Sequence, residues 1–166
     1  MRRWLAPFVL LLALLPSLTQ AARQPDDYVV LCYHDIVDLK LTPNLKLYPQ
    51  TIRRDTLIRH FNWIKQQGYH PVSFQQILDA KAGKAPLPEK AILLSFDDGY
   101  ESFYRLVYPL LKLYNYPAVF ALVGSWLDVA DDKMVPYGND KLPRSYFVSW
   151  PQIREMQDSG LVELAS

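Results

Sequence analysis

Short apolar runs recur along this chain, and stretches of helical period lie between them. Tyr28–Tyr33, Ala91–Phe96 and residues 118–123 run for six residues each without the apolar–polar alternation of a half-wet strand, and residues 161–165 begin another. Strands buried on both faces and separated by helices imply an α/β fold with a parallel sheet, open or closed into a barrel. In residues 53–67, Leu57, Ile58, Phe61 and Ile64 fall at helical spacing, and Gly68 stands where a helix ends on a glycine. Ser73 and Gln76 have capping-box spacing and open a second helix to about Ala82. Residues 101–114 read as a helix kinked or restarted at Pro109. Ser149 and Gln152 start a last one, with Pro151 in its first turn and Gly160 after its end. Residues 128–147 show no strong period and read as a polar insertion of the kind that lines sites.

With 166 residues the chain holds one domain. Half of it is hydrophobic and 21% charged, which excludes bulk disorder. A net charge of +1 offers no basic field for nucleic acid. The single cysteine, Cys32, excludes an intrachain disulfide and any Cys-rich zinc motif.

Residues 1–21 read as a secretory signal. Arg2 and Arg3 precede an apolar stretch from Leu5 to Leu15, and Thr19-Gln20-Ala21-Ala22 supplies the cleavage region. The apolar stretch is about half of the ~20 residues a transmembrane helix needs. The mature chain is thus expected to be exported, periplasmic or extracellular, without a transmembrane segment. A lone cysteine in an oxidising compartment is best buried, and the strand holding Cys32 is expected to bury it.

Parallel folds place their chemistry at the carboxyl ends of strands. That rule picks out His34, Asp97-Asp98-Gly99 and Gly124-Ser125-Trp126. Adjacent carboxylates repel, so one of them gains a raised pKa. Beside a divalent cation the arrangement is useful: one Asp ligates, and the other takes a proton from water. The alternative is a polar turn in which Asp98 caps the next helix. His34 divides between a hydrogen-bonded structural histidine and a pocket residue that orients the catalytic groups or touches the amide. Trp126 divides between packing and stacking on a sugar ring. Tyr100 flanks the motif and is a further pocket candidate, whereas His60, on a helix, reads as solvated.

Ser95-Phe96-Asp97-Asp98-Gly99 resembles the first motif of the polysaccharide deacetylases, carbohydrate esterase family 4, whose usual form is Thr-Phe-Asp-Asp-Gly. Leu31-Cys-Tyr-His-Asp-Ile36 is similar to a Tyr-His-x-Ile segment near the start of many members. Pro88-Glu-Lys-Ala91, Asp98-Gly-Tyr-Glu-Ser-Phe-Tyr104 and Pro117-Ala-Val-Phe-Ala-Leu-Val-Gly-Ser-Trp126 resemble the subgroup acting on poly-β-1,6-N-acetylglucosamine in bacterial biofilm export. The resemblance covers residues 28–166. It implies an incomplete, distorted (β/α) barrel and metal-dependent N-deacetylation of a secreted N-acetylglucosamine polysaccharide. The polymer and the exopolysaccharide export machinery are the implied partners. Asp97 matches the catalytic base and Asp98 the metal-binding aspartate; zinc, nickel, cobalt and iron all suit such a site. Two further histidine ligands, in a His-(Ser/Thr)-x-x-x-His motif, are expected after Ser166. On that expectation residues 28–166 are the N-terminal portion of the domain and are inactive alone; a glycoside-hydrolase-like domain often follows in relatives. The rival reading is a non-catalytic, carbohydrate-binding or inactive form of the same domain.

Overall fold

The computed structural model describes residues 27–166 apart from 44 and 46; the signal assigned to residues 1–21 lies outside them. In chain order the elements are β1 Tyr28–Tyr33, β2 Ile36–Val37, β3 Ile52–Arg53, α1 Arg54–Gln66, β4 His70–Pro71, α2 Phe74–Lys81 and β5 Ala91–Phe96. Then come a π-turn Phe103–Val107, α3 Tyr108–Tyr114, β6 Ala118–Ala121, α4 Gly124–Leu127, β7 Met134–Tyr137 and β8 Asp140–Pro143. A 3-10 turn Arg144–Tyr146, α5 Trp150–Asp158 and β9 Val162–Ala165 complete the described residues.

The main sheet has the order β1-β5-β6-β9, and β4 pairs with the start of β5; every pairing in it is parallel. β5 is central, and its unbroken apolar run is explained by burial on both faces. Because side chains alternate along a strand, Ile92, Leu94 and Phe96 enter one core and Ala91 and Leu93 another. The larger core is covered by α1, the π-turn, α3 and α5, through Leu57, Phe61, Phe103, Leu111, Ile153 and Met156 among others. The smaller core is closed by Val72, Ile77 and Leu87. Along β5 it takes in Ala91 and Leu93, whereas Ser95 and Asp97 are only half-buried and Cys32 on β1 is exposed.

Most punctuation expected from the sequence is present. Gly68 and Gly160 have φ of 68° and 72° after α1 and α5, and Ser73 and Gln76 form a reciprocal capping box. The expected disturbance at Pro109 is a π-turn placed one turn earlier. Proline lacks an N–H and crowds the carbonyl four residues back, and the wider turn relieves that conflict. Residues 128–147 depart from the expectation of an irregular insertion, since β7 and β8 form an antiparallel hairpin there. Pro136 and Pro143 hid it, because proline inside a run argues against a strand unless the strand is an edge. Among the described residues no helix is long and apolar enough to cross a membrane.

Candidate active site

Strand register builds the site. Cys32 pairs with Ser95, and Tyr33 with Phe96, in the β1–β5 ladder. Asp97 N–H then donates to the Tyr33 carbonyl at 2.9 Å, which carries the pairing one residue past the strand end. Two-residue periodicity therefore puts Cys32 and His34 of one strand beside Ser95 and Asp97 of the other, on one face. Phe96 and Tyr33 alternate to the opposite face, where their rings stack at 5.0 Å in the core.

Asp97 is fixed from two sides. Ser95 Oγ donates to its Oδ1 at 2.9 Å, and Cys32 Sγ donates to its Oδ2 at 3.2 Å. The sulfur, an imidazole nitrogen of His34 and a carboxylate oxygen of Asp97 all lie within 4.8 Å of one another. Cys32 is exposed, contrary to the expectation of a buried thiol. The reason is topological: β1 is an edge of the main sheet, and Cys32 lies on the face left open beyond the smaller core. Desolvation of the sulfur, then its hydrogen bond to Asp97, push the thiol up to about 11, so it stays protonated at neutral pH.

Asp98 turns another way. Its φ is 72° and that of Gly99 is 68°, two successive left-handed residues that end β5 abruptly. Gly99 is required there, because a Cβ would meet Leu122 Cδ2 at 3.2 Å in a conformation side chains already disfavour. The Asp98 carboxylate is half-buried, and the Tyr137 hydroxyl near it favours its charged form. Burial raises its pKa most, the charge of His34 lowers it, and the neighbouring Asp97 raises it again. The two carboxylates thus have separate partners and unlike surroundings. Capping of the following helix is not the role Asp98 takes.

Tyr137 comes from the hairpin and was not singled out in the sequence. Its hydroxyl accepts from Gln50 Nε2 at 2.5 Å. The Tyr137-Gly138-Asn139-Asp140 stretch was a readable turn signal, Gly138 having φ of 58°. Tyr100 is 2% exposed and stacks on Phe147 at 5.6 Å, so it shapes the wall of the site and presents no free ring face. Trp126 is half-buried and packs against Phe147 at 4.9 Å and Tyr137 at 5.6 Å. Arg144, buried, braces this aromatic wall by donating to the carbonyls of Phe147, Val148 and Leu127 at 2.9, 3.0 and 3.2 Å. His60 lies away from the site, exposed, with Nδ1 3.2 Å from the Tyr33 hydroxyl. A cavity of about 210 Å³, lined by Asp35, Ser102, Glu101 and Arg105 among others, borders none of Cys32, His34, Asp97 or Asp98.

These donors suit a divalent cation. Two carboxylates, one of them held in a partly desolvated setting with its pKa raised, create a negative charge that a cation relieves, and an imidazole stands within reach.

The sequence profile of the family Polysaccharide deacetylase matches residues 84–166. The poly-beta-1,6-N-acetyl-D-glucosamine N-deacetylase of Escherichia coli (strain K12) is 43% identical over 148 residues, 87% of this chain and 21% of that protein. Among solved structures, a de-N-acetylase from Aggregatibacter actinomycetemcomitans shares 57% identity with a TM-score of 0.77, over 84% of this chain and 53% of that one. The BpsB deacetylase domain from Bordetella bronchiseptica shares 42% identity with a TM-score of 0.71, over 87% and 56%. The chain therefore spans about a fifth of the length of the curated relative and a little over half of each of these solved chains.

Proposed function

This chain belongs to the polysaccharide deacetylase family, and from that premise we propose that it serves cation-dependent removal of N-acetyl groups from a secreted N-acetylglucosamine polysaccharide. The observation that carries the reading is the division of labour at the end of β5. Asp97 is oriented by Ser95 and Cys32, whereas Asp98 is half-buried against Tyr137.

Asp98 is the proposed cation ligand. A divalent cation held there supplies Lewis-acid polarisation of the amide carbonyl and a lowered pKa for water. Asp97 takes the proton of the attacking water, since Ser95 and Cys32 hold its carboxylate in place. His34 stands next to it and donates a proton to the departing amine. Imidazole is the side chain best suited to moving protons near neutral pH. The wall formed by Trp126, Phe147 and Tyr137 borders the sugar ring and helps keep water from the reacting centre. A glycosidase pair would flank one bond from two sides. Here the two carboxylates are consecutive and turn to different partners, which disfavours that chemistry.

Two histidine ligands beyond residue 166 are part of this proposal, on the resemblance described above. The test therefore uses the gene product read on past that point, with residues 22–166 alone beside it, on β-1,6-linked N-acetylglucosamine oligomers with added divalent ions. Acetate release is expected from the first and not from the second. In the longer protein Asp97→Asn is expected to cut the rate by about 10²–10⁴-fold while the cation stays bound; Asp98→Asn is expected to lose both rate and cation. Equal cation loss in the two variants, read in a Cys32→Ser background so that the thiol contributes no donor, overturns the assignment. Export and a periplasmic or extracellular location belong to the same proposal. N-terminal sequencing of the exported protein, expected to begin after about residue 21, checks them.

A further inference from the structure

Cys32, His34 and Asp97 offer a sulfur, a ring nitrogen and a carboxylate oxygen within 4.8 Å of one another, with Sγ and Oδ2 3.2 Å apart. Asp98, the proposed ligand for the catalytic cation, is not among them. We infer that this trio is a second cation site, selective for thiophilic divalent ions of the zinc and cadmium class, whose occupancy takes Asp97 and His34 out of catalysis. The consequence for catalysis rests on the function proposed above; the binding itself does not.

Size and chemistry agree with the inference. Zinc bonds run about 2.3 Å to thiolate and about 2.0–2.2 Å to imidazole and carboxylate, so tetrahedral donors stand roughly 3.3–3.6 Å apart. Side-chain shifts of about an ångström bring these three donors to that spacing. Their backbones already hold them together: residues 32 and 34 share one face of β1, and the Asp97 amide is tied to the Tyr33 carbonyl between them. Thiolate donors select soft ions over magnesium or calcium. Three protein donors leave a fourth position for water, and the exposure of Cys32 leaves a way in. On binding, the S–H bond breaks, the proton goes to bulk water, and the sulfur lone pair it leaves forms the bond to the cation. The hydrogen bond from Sγ to Asp97 is replaced by coordination of both groups to one ion.

Cys32 is the only cysteine of the chain, so thiol readouts report on this site alone. Titration of the chain with cadmium chloride is expected to give a thiolate-to-cadmium charge-transfer absorption that saturates at one equivalent. Bound cadmium or zinc is also expected to slow alkylation of Cys32 by iodoacetamide at least tenfold. Cys32→Ser loses the absorption, and His34→Gln and Asp97→Asn each weaken binding at least tenfold. Asp98→Asn keeps the absorption at near-unchanged affinity, which separates this site from the catalytic one. Circular dichroism of each variant checks that it is folded. Absence of the absorption in the unaltered chain overturns the inference. So does an unchanged affinity in both His34→Gln and Asp97→Asn, which reduces the site to a lone thiol. Neither readout needs turnover, so a failed deacetylase reading and a failed cation site are told apart.

Discussion

Asp97, Asp98 and Gly99 do three different things in three consecutive positions, and the backbone is what separates them. Asp97 still follows the β ladder, so its side chain points to the open face with Ser95 and Cys32. Asp98 and Gly99 then adopt left-handed angles, which redirect the Asp98 carboxylate toward Tyr137. For a residue with a Cβ that conformation costs about 1–2 kcal/mol, and Asp tolerates it better than most. Gly99 has the added constraint of Leu122 at 3.2 Å from any Cβ. Gly99→Ala is therefore expected to lose about 1–2 kcal/mol in urea denaturation; an unchanged midpoint would show that the turn relaxes freely. The carboxylate pair was legible in the sequence because a strand run stops abruptly on it. The role of Cys32 was not. A hydrogen bond between residues 65 positions apart depends on strand register, and neither motif nor period reveals which strands are neighbours.

The same limit operates on whole elements. β5, α1, α2 and α5 were readable because each carries its own local signal: a buried run, a helical stripe with a closing glycine, or a capping box. The β7–β8 hairpin carries a turn signal but two prolines within its strands, and it earns its place through what it touches. Tyr137 from its tip reaches Asp98, and Arg144 just after it holds three backbone carbonyls in a buried setting. No sequence pattern announces a guanidinium whose partners are carbonyls at 127, 147 and 148. Its planar fork donates from two separate nitrogens, a spread that the single nitrogen of an ammonium does not reproduce. Arg144→Lys is expected to cost about 1.5–3 kcal/mol, measured by denaturant midpoint, and to loosen the wall of Phe147, Trp126 and Tyr137. Near-ultraviolet circular dichroism of those aromatics should weaken with it. Preservation of both signals would mean that the hairpin is held by its own ladder alone.

At the scale of the molecule, the open face that makes a site also leaves carboxylates in places water would not choose. Asp35 is 8% exposed; it accepts from Ser102 Oγ at 2.7 Å and, more weakly, from Thr51 Oγ1 at 3.5 Å. Burial outweighs those bonds and the nearby Arg105 charge, so its pKa is raised, as is that of Asp98. A carboxyl group whose folded pKa is raised binds more protons folded than unfolded. Its contribution is fully present below the unfolded value of about 3.9 and is lost as pH rises through the folded value. Asp55 and Asp79 work the other way. Arg59 and Lys84 hold their pKa values low, so their contribution is present above about 3.9 and is lost only below it. Both are exposed and screened, and count for less. Asp35 and Asp98 thus lose stability as pH rises above the ordinary carboxylate range, whereas Asp55 and Asp79 lose it only as pH falls below that range. Cys32 and Tyr33, pushed up to about 11 and about 12, add a second loss of stability as pH climbs above 9. Urea midpoints measured between pH 4 and 8 at fixed ionic strength are expected to fall as pH rises. Asp35→Asn preserves an acceptor for Ser102 and removes the charge, so it is expected to flatten that slope and to match or exceed the unaltered chain at pH 7. A midpoint that rises from pH 5 to 8, or a slope unchanged by Asp35→Asn, would mean that Asp35 is solvated well enough to ionise at no cost.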